Sequence, residues 1–205
     1  MSQTQTNDSK TGTVDSSNPS ARVLLINGSP SKTSKTGVIL GIFAEQLKEK
    51  GAGVELVSVL DFQAEDLLLG NFESPKVKDF VGKIASAQII VIATPVYKAS
   101  YTGVLKALLD LVPPGAFVDK AVLPLATAGA LAHFLALDYA LKPVLSYLGT
   151  GRFLSNLFFT DKQLTYQEGK LVFDEEGDTR FKNGLQEIIR ELEKRGLELR
   201  EWKEK

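Results

Sequence analysis

Residues 88–110, QIIVIATPVYKASYTGVLKALLD, restrict the possible folds more than any other stretch. Ile89 to Ala93 is a short, apolar, β-branched run, the pattern of a strand covered on both faces. Pro95 brings no ladder N–H and marks the end of that strand. Thr102 is suited to cap a following helix that runs to about Leu111, although Gly103 makes a weak first turn. A buried strand, a loop over 94–101 and a helix belong to an α/β sheet, whose ligands bind just beyond the carboxyl ends of the strands. The loop is therefore expected to form part of a ligand site.

The rest of the chain repeats this rhythm. A strand at 23–26 leads through residues 27–36 into a helix ending near Lys50, with Val38, Leu40, Phe43 and Leu47 at helical spacing. Residues 54–60 alternate as a second strand, and 61–75 form a long connection. Ser74 and Pro75 read as N-cap and first position of a helix with Val77, Phe80, Val81 and Ile84 on its apolar face. Residues 121–127 read as a fourth strand, with Pro124 counting against a central position. A long helix is expected over 131–148, a fifth strand over 152–160 and a small hairpin from 163–166 and 170–173. From residue 175 to the end the pattern is a charged amphipathic helix with Leu185, Ile188, Ile189 and Leu192 inward. Five strands alternating with helices imply an α/β fold, a doubly wound parallel sheet with helices on both faces. The flavodoxin-like order 2-1-3-4-5 suits them. Residues 1–20 are almost all small and polar, so a disordered tail is expected there, with one domain over 21–205.

Composition excludes several function classes. With 24 basic and 25 acidic residues the net charge is −1, which gives no general attraction to nucleic acid or to an anionic membrane. The chain has no cysteine, hence no disulfide, thiol nucleophile or thiolate metal site, and no metal centre is expected. The opening residues have no apolar signal-peptide core, and no apolar run approaches the ~20 residues of a membrane span. A cytoplasmic location is the default expectation.

Residues 27–36 carry one glycine, the hydroxyls of Ser29, Ser31, Thr33, Ser34 and Thr36, and two lysines. A loop entering a helix presents unpaired N–H groups and the positive end of the helix dipole. The spacing matches neither the dinucleotide fingerprint nor the P-loop, and a single-glycine, hydroxyl-rich loop suits a monophosphate such as that of FMN. An ordinary exposed helix-capping loop has the same appearance. In residues 94–101, Pro95 stiffens the backbone, Tyr97 and Tyr101 offer flat faces, and Lys98 adds positive field. Such a loop suits a planar redox ring whose hydride chemistry belongs to the cofactor, so no catalytic side chain is expected. Read alone, it is also two surface tyrosines on a turn.

Taken with Asn27-Gly-Ser-Pro30, residues 122–127 (VLPLAT) and residues 132–145 (AHFLALDYALKPVL), the 94–111 stretch resembles NAD(P)H-dependent FMN reductases. Among these it is most similar to the reductase component of two-component alkanesulfonate monooxygenase systems. The resemblance runs from about Arg22 to Phe159. It implies FMN as cofactor or substrate, NADPH or NADH as hydride donor, and delivery of reduced flavin to a partner monooxygenase. By position it implies that Ser29, Ser34, Lys35 and Thr36 hold the phosphate and that Pro95, Val96, Tyr97 and Lys98 hold the ring. Thr127 and Gly129 would border the ring and the nicotinamide. The family often carries Gly-Gly after the fourth strand, where this chain has Gly129-Ala130.

Two further residues stand out in the long helical stretch. His133, the one histidine, is more often a capping or packing residue at such a position than a general acid. Pro143 cannot donate to the carbonyl of Tyr139, so a π-bulge or a plain proline kink is expected there. In the resembled reductases an inserted tyrosine forms a π-helix at a tetramer interface, and Asp138-Tyr139-Ala140 matches it, which implies a dimer or homotetramer. Three other readings remain open: a reductase of quinones, azo dyes or metal oxyanions that keeps its FMN, a flavodoxin-type carrier without nicotinamide activity, and a phosphate-sugar or nucleotide-binding domain on a similar sheet.

Overall fold

In the computed structural model, which describes residues 21–197 and 199, three strands are almost wholly buried. These are β1 (Arg22–Asn27), β3 (Ile89–Pro95) and β4 (Ala121–Ala128). Alternate residues feed opposite cores, as strand geometry requires. Leu24, Ile26, Ile90, Ile92, Val122 and Ala126 face one side, while Val23, Leu25, Ile89, Val91, Leu123 and Leu125 face the other. Each of these Val, Leu and Ile side chains stabilises the fold by roughly 1.5–3 kcal/mol on full burial. The sheet is therefore the rigid part to which the loops are fastened.

Adding β2 (Gly53–Ser58), β5 (Arg152–Phe153) and β6 (Leu157–Thr160), the sheet runs in the order β2-β1-β3-β4-β5, with β6 also pairing β4. All these pairings are parallel. Around the sheet lie α1 (Lys35–Glu49), α2 (Ala64–Leu68), α3 (Pro75–Ser86), α4 (Gly103–Asp110), α5 (Lys142–Tyr147) and α6 (Glu175–Lys194). Residues of α1 and α6 pack on one core, those of α3, α4 and α5 on the other. This is the doubly wound, flavodoxin-like arrangement expected from the sequence. β7 (Leu164–Gln167) and β8 (Lys170–Phe173) form the antiparallel hairpin.

Several expectations need correction. The fifth strand is two pieces: β5 pairs β4 as far as Val122↔Phe153, and β6 takes over at Leu125↔Leu157. The carbonyl of Val122 accepts from Leu154 N on that side, and Pro124, two residues further, faces the same neighbour. Its missing N–H falls in the gap between the two segments, which is how a proline is accommodated inside the sheet. The expected helix over 131–148 is also broken. It consists of a 3₁₀ turn at Leu131–His133, a π-helical turn at Leu137–Leu141 and α5. β2 ends at Ser58, and a 3₁₀ turn follows. β3 continues through Pro95, whose missing N–H costs nothing at the last ladder position. Ser74 precedes α3 but makes no side-chain cap, because its hydroxyl donates to Asp66 Oδ2 at 2.6 Å. The expected tail over 1–20 lies outside the described residues, as does most of the C-terminal stretch beyond α6.

Candidate active site at the carboxyl edge of the sheet

The loop after β1 is shaped by its own short side chains, a habit of Asn and Ser in turns. Asn27 Oδ1 accepts from Ser29 N at 3.1 Å, Ser29 Oγ accepts from Ser31 N at 3.2 Å, and Ser34 Oγ accepts from Gly37 N at 3.1 Å. The carbonyl of Ser34 takes the N–H of Val38. At the start of α1 this leaves the N–H groups of Lys35 and Thr36 as open donors among the described residues. Gly28 is required by close packing: a Cβ there would meet Leu105 Cδ2 at 2.7 Å and Ala93 O at 3.0 Å. The loop therefore lies directly against β3 and α4.

Thr36 is the second residue of α1. Its side chain is fully buried, and its hydroxyl lies 2.8 Å from that of Thr127 at the end of β4. The Thr36 hydroxyl thereby ties the first turn of α1 to the end of β4. Lys35 Nζ donates to Asp161 Oδ1 at 2.9 Å and to Asp161 O at 3.3 Å. Asp161 follows β6 and lies beside Gly129, where a Cβ would stand 3.8 Å from Asp161 Oδ2.

After β3, residues 97–100 close a two-residue hairpin: Tyr97 N donates to Ser100 O at 2.8 Å and Ser100 N to Tyr97 O at 3.1 Å. Lys98 and Ala99 sit at φ of 51° and 63°, the left-handed region at both tip positions of a type I′ turn. L-residues hold that conformation at a cost, and such strain gathers at ligand sites. Val96 N is committed to Thr127 O at 2.9 Å. With Tyr97, Ser100 and Thr102 N–H also committed, the N–H groups of Lys98, Ala99 and Tyr101 are the open donors of this loop.

Thr94 and Thr102 complete the site, although sequence reasoning assigned only a cap to Thr102. Thr102 Oγ1 donates to Gly28 O at 2.5 Å and accepts from Leu105 N at 3.2 Å, while Thr102 N donates to Thr94 Oγ1 at 3.2 Å. One buried hydroxyl thus caps α4 and fastens the loop after β1 to the loop after β3. Tyr97 is half exposed, whereas Tyr101 is partly buried, and that burial raises its hydroxyl pKa above the usual value. Ser29, Ser34, Lys35, Pro95, Val96, Tyr97, Lys98, Thr127 and Gly129 all fall on this one edge of the sheet.

The π-helical turn contains Tyr139 and precedes Pro143. Asp138 Oδ1 accepts from Lys142 Nζ at 2.7 Å and from Asn156 Nδ2 at 3.0 Å, which fixes the turn to the connection between β5 and β6. Those two donors hold the Asp138 carboxyl below the ordinary carboxylate range. Tyr139 itself is 79% exposed, and His133 is only half-buried in its 3₁₀ turn. A wide cleft of about 800 Å³ lies elsewhere, between α6 and residues 155–157. Its walls carry Asp174, Glu175, Glu176 and Glu187 around Arg180, a balance that repels phosphate.

Comparisons with known proteins agree with this geometry. Residues 21–165 match the family model described as NADPH-dependent FMN reductase. An FMN reductase (NADPH) of Pseudomonas putida is 49% identical over 147 residues, covering 72% of this chain and 75% of that protein. One from Escherichia coli is 39% identical over 178 residues, covering 87% and 93%. Among solved structures, the apo form of an NADH:FMN oxidoreductase superposes with a TM-score of 0.74 at 33% identity, covering 82% of this chain and 88% of that one. The matched region includes the loops after β1, β3, β4 and β6, and the chain belongs to the NADPH-dependent FMN reductase family.

Proposed function

We propose that this chain is an oxidoreductase that reduces FMN with NADPH or NADH at the carboxyl edge of its sheet. The observation that carries this reading is the family match across every loop of the site. The donor set fits a flat ring bearing one phosphate. Open N–H groups and Lys35 stand at the start of a 15-residue helix, and a rigid turn rises beside them on the adjoining strand. FMN, when bound, supplies the electron-accepting ring.

The chain's own part is to bind and orient. Ser29 and Ser34 shape the phosphate loop, and Lys35 with the N–H of Thr36 meets the phosphate. Pro95, Val96, Tyr97 and Lys98 support the ring, and Thr127 and Gly129 border the space for the nicotinamide. Alignment of donor and acceptor is what such a site contributes to hydride transfer, and no side-chain acid or base is assigned. Residues 21–197 act as a single FMN-binding domain.

The tip of the ring loop and Gly129-Ala130 are exposed, which favours a flavin that enters and leaves. On this reading reduced FMN passes to a flavin-dependent monooxygenase. Leu131, Leu135, Tyr139 and Tyr147 present 55–79% of their surface on one segment, a display that calls for a partner surface. We assign it to self-association as a dimer or tetramer. No helix among the described residues is long and apolar enough to cross a membrane, and we place the enzyme in the cytoplasm. The test compares free FMN with a quinone as electron acceptor at matched NADPH. Faster turnover of FMN supports the reductase; faster turnover of the quinone by protein that stays yellow through gel filtration supports a flavin-retaining enzyme instead.

A further inference from the structure

The Lys35–Asp161 contact joins residues 126 positions apart, and it occupies the one lysine at the head of α1. Asp161 does not meet Lys35 by chance of a floppy side chain. Its 3₁₀ turn, Asp161–Gln163, is held at the far end by Gln163, whose Oε1 accepts from Thr160 N at 3.0 Å and from Arg180 Nη1 at 3.2 Å. Gln163 Nε2 in turn donates to Glu176 Oε2 at 3.0 Å, so α6 holds the turn in place. Lys35 keeps 28% of its side chain exposed and Asp161 58%. The pair therefore sits where solvent, or an anion arriving at the loop, can reach it.

We infer that Asp161 sets how tightly the phosphate loop holds FMN, by competing with the phosphate for Lys35. The inference rests on the proposed FMN site. A phosphate at the open N–H groups of Lys35 and Thr36 needs the adjacent lysine as a counter-charge. Asp161 supplies a second anion on the same ammonium, and the two negative charges repel across it. The ion pair itself is half-exposed and contributes little to stability. Its consequence is for affinity: the anion site carries less net positive charge than its sequence suggests. A weakened grip is what distinguishes a flavin that is turned over and released from one that stays.

Riboflavin, which has the same ring without the phosphate, separates this effect from any general disturbance. Dissociation constants for FMN and riboflavin are measured by flavin-fluorescence quenching for wild type, Asp161→Asn, Lys35→Met and the double variant. Asparagine keeps the shape and one hydrogen bond but removes the charge. The expected result is an FMN Kd about tenfold lower in Asp161→Asn, the size of one charge-assisted contact at a half-exposed site. Riboflavin is expected to change less than about twofold, and the FMN gain to vanish in the Lys35→Met background. Unchanged FMN affinity, equal tightening of both flavins, or a gain that survives loss of Lys35 overturns the inference while leaving the FMN site intact. Wild-type protein that binds neither flavin overturns the site and the inference together.

Discussion

The hydroxyls of Thr36 and Thr127 meet at 2.8 Å in a fully enclosed contact between the first turn of α1 and the last residues of β4. Through it, the start of α1 and the end of β4 hold a fixed separation. Removing one hydroxyl orphans the other in a buried place. Thr36→Val or Thr127→Val alone is expected to destabilise by about 1–3 kcal/mol. The double valine variant, which leaves no orphan, is expected to lose less than the sum of the two. Urea unfolding of the four proteins checks this as a double-mutant cycle.

The turn at Lys98-Ala99 stores backbone strain, since neither residue is suited to positive φ. Replacing the pair with Asn-Gly supplies the residues that a type I′ turn prefers. The variant is expected to gain roughly 1–2 kcal/mol, seen as a melting temperature higher by a few degrees. An unchanged or lower melting temperature would show that the turn is not strained.

Asp138 makes stability depend on acid pH. Its pKa is lowered, first by the hydrogen bond from Lys142 and then by that from Asn156. A lowered carboxylate contributes stability that is complete above its unfolded value near ~3.9 and is lost as pH falls through the folded value. Acidification below about pH 4 should therefore release the π-helical turn from the β5–β6 connection. Asp138→Asn should be less stable than wild type at neutral pH, with the difference shrinking through that acid window. Parallel acid-unfolding curves of the two proteins would exclude this role.

Tyr139 projects from the π-helical turn into solvent. Tyr139→Ala is expected to change monomer stability by less than about 0.5 kcal/mol, as at other exposed sites. On the proposed self-association, it is expected to shift the protein to a smaller species. Sedimentation velocity reads the outcome, and an unchanged distribution of species would remove Tyr139 from any interface.

The parts legible in the sequence were those set by local chemistry. The apolar runs of β1, β3 and β4, the Thr102 cap, and the proline after Tyr139 each announce themselves within a few residues. The split between β5 and β6 was hidden because it depends on which residues of β4 lie opposite Pro124. The Lys98-Ala99 turn lacks the glycine or asparagine that usually signals one. The contact between the hydroxyls of Thr36 and Thr127 was hidden because the two lie 91 positions apart. Asp161 escaped for the same reason: its partner, Lys35, is close only once the sheet has formed.

The central claim is tested most directly by oxidation of NADPH and NADH by the purified protein, with and without added FMN. Oxidation is expected to be slow without flavin and to rise and saturate with FMN, for at least one of the two donors. A rate that does not respond to FMN with either donor would contradict it.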